Sequence, residues 1–122
     1  MKRFLSTIVA FAMLAPAAMA SAHFLHVSPH AVTRGNRVTV SGSVGNGCET
    51  GHAGDVATIF SRAFKGSTSQ NFAGVPAVFA SLRKHDTFSF KIRIRKSIKK
   101  GTYNIGGRCG GGNFGSVTLK VS

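Results

Sequence analysis

The sequence predicts an all-β fold: a two-sheet antiparallel β-sandwich of about seven strands. Three observations carry this. Apolar residues alternate with polar ones at period two, as in Phe88, Phe90, Ile92 and Ile94 against Thr87, Ser89, Lys91, Arg93 and Arg95, the pattern of a strand with one buried face. Glycine is abundant, with 15 in 122 residues, and it falls between the alternating runs, where it favours turns. Three carboxylates in the whole chain exclude a helical surface laced with Glu–Lys pairs.

Residues 1–22 read as a secretory signal peptide. Lys2 and Arg3 form a positive start, Phe4 to Leu14 are largely apolar, and Pro16 precedes a run of small residues. The apolar stretch falls short of the roughly 20 residues that span a bilayer. Cleavage after Ala20 leaves Ser21 first, and cleavage after Ala22 leaves His23 first. Residues 23–122 then form one domain, with no second apolar run and no linker. The expected address is secreted, periplasmic or otherwise in the cell envelope.

The expected strands are 24–28, 36–44, 55–60, 77–82, 86–95, 102–109 and 114–121. Val38 and Val40 share a face in the second, Tyr103 and Ile105 in the sixth, and Val117, Leu119 and Val121 in the last. Turn signals lie between them at Arg34-Gly35-Asn36, Gly45-Asn46-Gly47, Lys100-Gly101 and the glycine-rich 106–112. Residues 61–76 have no clean period and read as a long loop or a short edge strand.

Without the leader the chain keeps 14 of its 16 Lys and Arg against Glu49, Asp55 and Asp86, a formal charge of +11. Such a charge draws a protein towards anions. Export makes nucleic acid less favoured than an anionic membrane surface or an envelope or extracellular polymer. Cys48 and Cys109 are an even pair in an oxidising compartment, which reads as one disulfide. Closing a loop of about sixty residues is worth about 4 kcal/mol in the chain-entropy model.

The order of elements carries a resemblance. Ser28-Pro29 follows the first strand, then Gly35-Asn36-Arg37-Val38-Thr39-Val40-Ser41-Gly42, then Cys48. A Phe-rich strand follows, then Gly101-Thr102-Tyr103 and Arg108-Cys109-Gly110. This frame resembles the small immunoglobulin-like domains of secreted bacterial proteins, which implies their sandwich fold and a binding or accessory role more than an activity. It departs from antibody-type domains: Trp is absent, Tyr103 lies six residues before Cys109, and Cys48 falls after the second strand. The chain also resembles, more weakly, the CopC-type periplasmic copper carriers, which begin with His after the signal peptide and share the Gly101-Thr102-Tyr103 segment. Where those proteins carry Asp-Gly-His, this chain has Gly110-Gly111-Gly112-Asn113.

Two constellations carry chemistry. Lys91, Arg93 and Arg95 line one strand face roughly 6–7 Å apart, and Lys96, Lys99 and Lys100 extend that patch into the next turn. This basic stripe suits a run of phosphates or sulfates. The second is the mature N-terminus. A free α-amine beside the His23 imidazole, or two amides between Ser21 and His23, makes a Cu(II)-capable chelate. His26 points to the other face of its strand and is a poor co-ligand. No resident cofactor is otherwise implied. The segment 106–112 lacks the Gly-Lys-Ser/Thr ending and helix of a phosphate loop. Glu49 with Asp55, or His85-Asp86 with a serine, gives catalysis little support, and the chain reads as a non-enzymatic binding module. The alternatives are a copper-binding protein and a structural protein–protein interaction domain, the last with Phe64 or Phe72 as exposed anchors.

Overall fold

The structure is a computed structural model, and it describes residues 23–45, 56–66, 70–110 and 112–122. Leader, Cys48, Glu49, His52 and Asp55 therefore lie outside the described residues.

Nine strands are described: β1 (Phe24–Ser28), β2 (Ala31–Val32), β3 (Arg37–Ser43), β4 (Val56–Phe60), β5 (Asn71–Phe72), β6 (Val75–Ser81), β7 (Thr87–Arg93), β8 (Gly101–Cys109) and β9 (Gly112–Val121). One turn of 3-10 helix, Lys84–Asp86, leads into β7. The strands form two sheets: a narrow one of order β1-β3-β7 and a broad one of order β2-β9-β8-β4-β6-β5. All the long strands expected from alternation are present, with ends shifted by one or two residues. One open alternative is decided, and one pairing differs from expectation. The segment 61–76 contains the edge strand β5, joined to β6 by a two-residue turn. The sheets are also not purely antiparallel: after the turn at residues 28–30, β2 runs parallel to the end of β9, pairing Ala31 with Lys120 and Val32 with Val121. The first segment thus serves both sheets, β1 in the narrow one and β2 in the broad one.

One core lies between the sheets. The narrow sheet contributes Val27, Val38, Val40 and Phe88, and the broad sheet Ala57, Ile59, Ile105, Phe114, Leu119 and Val121. Phenylalanines do the filling where no Trp is present. Phe88 meets Phe114 edge-on at 6.0 Å and lies offset against Phe90 at 6.2 Å, arrangements that suit the ring quadrupole. Gly42 makes room for this packing: a Cβ there would fall 2.3 Å from the Phe24 carbonyl and 2.9 Å from the Phe88 ring.

Phe64 corrects an expectation. It is 0 % exposed, meets Phe90 edge-on at 6.5 Å and bridges to Ile94, so it is a core ring and not a docking anchor. Its position follows from a local turn. The Ser61 hydroxyl accepts from the Ala63 amide, and the Ser61 carbonyl from the Phe64 amide, which bends the chain out of β4. Residues 63–65 then meet the far edge of β7: the Lys65 amide donates to Arg93, and the Arg95 amide to Ala63. The expected strand 86–95 therefore ends at Arg93, where its neighbour on that edge becomes a crossing segment from the other sheet.

Candidate functional site

The sequence-predicted stripe divides where β7 ends. Lys91 and Arg93 lie on the outer face of the narrow sheet, opposite Thr39 and Arg37 respectively. That face continues through Ser41 to His26 and through Thr39 to Ser28, so it carries cations among short hydroxyls. Arg37 was not singled out in the sequence. Directly opposite like charges repel, and Arg93 is held by donating from Nη1 to the Gly35 carbonyl at 2.6 Å.

Arg95 and Lys96 lie beyond the strand, where the sheets meet. Together with Arg93, Lys65, Ser97, Gly66 and Pro76 they line a cleft of about 500 Å³. Lys65, Gly66 and Pro76 belong to the side of the broad sheet; Arg93, Arg95 and Lys96 follow the narrow one. Arg95 donates from Nη1 to the Arg62 carbonyl at 3.2 Å. Each arginine is thus anchored through one nitrogen on a backbone carbonyl, which leaves further N–H groups of its fork for a ligand. None of the four cations has an ion-pair partner among the described residues. The one carboxylate side chain described, Asp86, precedes β7, and the seven residues of that strand put it roughly 20 Å away. Four unneutralised cations in one concavity create a positive potential that an oxyanion relieves. Lys99 and Lys100 are exposed in the following turn, which is tied down by Arg34 Nη1 donating to Ile98 and by the Tyr103 hydroxyl donating to Lys99 at 2.6 Å.

The histidines are dispersed. His23 lines a small concavity beside Cys109 and Phe114, whereas His26 is exposed on the narrow sheet's outer face. His26 pairs instead with His30, ring centroids 5.6 Å apart and nearly perpendicular. No group of three or more His, Cys, Asp or Glu that could hold a metal ion occurs among the described residues. Of the expected disulfide, Cys109 is buried at the end of β8, and Cys48 lies outside the described residues. Phe72 is half-buried, 4.9 Å from Phe60 with the rings tilted by 32°. No helix among the described residues is long and apolar enough to cross a membrane.

No family model and no curated protein matches the sequence. Among solved structures, the chain is similar to Pseudomonas fluorescens alkylpurine DNA glycosylase AlkC bound to DNA containing an abasic site analog. The likeness has a TM-score of 0.49 at 15% identity and covers 81% of this chain and 30% of that one.

Proposed function

We propose that this chain is an exported, non-enzymatic, immunoglobulin-like module that binds an anionic polymer of the cell envelope or its surroundings. The observation that carries this reading is the cleft of Lys65, Arg93, Arg95 and Lys96, which has no acid in its lining. Lys91, Lys99 and Lys100 flank it and extend the positive field along the molecule. The sorting of strands supports the immunoglobulin-like reading, because the first, second and fifth long strands share one sheet while the third, fourth, sixth and seventh share the other. This resembles the division of strands in immunoglobulin sandwiches except at the fourth long strand, which in the constant type lies with the first, second and fifth. A Cys48–Cys109 bridge and removal of residues 1–22 complete the proposal, and intact-mass measurement of the exported protein before and after reduction and alkylation checks both.

The binding reading is tested with linear polyphosphate and heparin as probes, at about 50 and 500 mM salt. Exposed charge pairs are screened over about 10 Å at 0.1 M and less at higher salt, so affinity for both probes should fall by about tenfold or more. Affinity that stays the same across that range overturns the proposal.

A further inference from the structure

The outer face of the broad sheet carries rings as well as polar groups. Phe60 of β4 pairs with Gly106 of β8. A Cβ at Gly106 would come within 2.8 Å of the Phe60 ring, so the glycine makes room for the outer end of the ring. Phe72 rests against it, and the Arg108 guanidinium sits 5.2 Å from the Phe72 centroid. Two concavities flank Phe60, of about 320 and 440 Å³, and both are lined by Phe60 and Asn104. Thr102 and Arg62 line the first, and Asn113 and Ser116 the second. They therefore form two compartments of one groove that crosses β4, β8 and β9.

We infer that this groove binds the sugar rings of an acidic polysaccharide whose sulfate or phosphate groups enter the cationic cleft; the inference rests on the anionic-polymer reading. A sugar ring has an apolar C–H face and a rim of hydroxyls. The side of the Phe60 ring that Phe72 does not cover meets the first, and carboxamides and hydroxyls, which both donate and accept, meet the second. The groove supplies that combination with one cation, Arg62, in its lining. Continuity with the cleft supports a single polymer. Val75 lines the groove and its neighbour Pro76 the cleft, and the carbonyl of Arg62 holds the Arg95 guanidinium. A buried apolar partner would leave Asn104 and Ser116 without hydrogen bonds to replace those with water, which is costly; the Asn113 Oδ1 already accepts from Arg108 Nη1 at 3.0 Å, which leaves its NH2 group to donate. A nucleobase could also stack on Phe60, and the test separates it from a sugar.

The probes are a fluorescein-labelled heparin octasaccharide, linear polyphosphate and a labelled oligothymidylate, read by anisotropy. Phe60→Leu keeps apolar bulk but removes the planar ring, and Asn104→Ala removes an exposed carboxamide. Both should lower heparin affinity, by about tenfold and about threefold, and leave polyphosphate affinity unchanged. Lys65→Ala/Lys96→Ala should weaken both probes. Variants of Phe60 and Asn104 that bind heparin as the parent does overturn the groove and leave the anion reading standing. Equal loss of heparin and polyphosphate, or loss confined to oligothymidylate, also overturns it. A parent protein that binds neither heparin nor polyphosphate overturns the anion reading and the groove with it.

Discussion

The two outer faces of this molecule obey the same alternation and carry different chemistry. On the narrow sheet, the outward positions of β1, β3 and β7 include His26, Ser28, Arg37, Thr39, Ser41, Ser89, Lys91 and Arg93, with a single phenylalanine ring, Phe24, 51 % exposed at the start of β1. On the broad sheet, the outward positions include Phe60, Phe79 and Arg108, with Phe79 46 % exposed. Cations and short hydroxyls are at home in water, and such a face also discourages edge-to-edge pairing. Phenylalanine rings left partly in water gain nothing from that position unless something covers them. The cleft lies on the seam between the faces, so it can draw charge from one and present it beside the rings of the other.

The comparison can be broken at the seam itself. Phe64 joins the crossing segment to the core, and Phe64→Ala should cost about 3–5 kcal/mol of stability. Chemical denaturation measures it, and a loss below about 1 kcal/mol would mean that the two sheets do not depend on that segment. The cleft should also outweigh the hydroxyl face in binding. Lys65→Ala/Arg95→Ala/Lys96→Ala should weaken polyphosphate binding about a hundredfold, near 2.7 kcal/mol, whereas Arg37→Ala/Lys91→Ala should weaken it less than about threefold. Equal effects would place the binding on the strand face instead.

Smaller effects sharpen the picture of the broad face. Gly106→Ala forces a methyl group into the Phe60 ring and should cost about 1–3 kcal/mol. Gly112→Ala, where a Cβ would meet nothing within 4 Å, should stay within about 0.5 kcal/mol. Thermal melts of the pair decide whether the ring needs the room that Gly106 leaves. Ala73→Asn should act in the opposite direction, a gain of about 0.5–1 kcal/mol, because Ala73 sits at φ 55 in a region that costs alanine more than asparagine. A melting temperature that does not rise would count against strain at that turn.

That turn also shows what the sequence concealed. The β5–β6 hairpin turns at Ala73 and Gly74, both with positive φ. Two-residue turns of this kind usually announce themselves by Asn-Gly or Asp-Gly, and Ala-Gly carries no such signal. Pro76 in the following strand further masks the pattern, since Pro reads against a strand interior. By contrast, the alternation of β7 was legible, because Phe88 is buried and Phe90 and Ile92 pack partly against the core on one face, and period two is the imprint of that packing. The cleft was half legible. Arg93, Arg95 and Lys96 are near neighbours in sequence, but Lys65 joins them through the Ser61 turn and the pairing of Lys65 with Arg93. Arg37 reaches Arg93 only through strand register. Phe64 looked like a candidate anchor because no period surrounds it; its burial comes from a crossing that local pattern does not encode.

The composite lining of the cleft makes a ligand there a mechanical tie. Lys65 arrives on the segment that crosses over from β4 and Arg95 from the end of β7, so an oxyanion touching both reinforces the backbone hydrogen bonds by which that segment holds the narrow sheet. Occupancy and folding are then linked equilibria. A polyanion at about a hundred times its dissociation constant should add about 2.7 kcal/mol to the stability of the folded state. In dilute surroundings the protein would be the looser form of itself, and against a charged polymer it would become the more durable one.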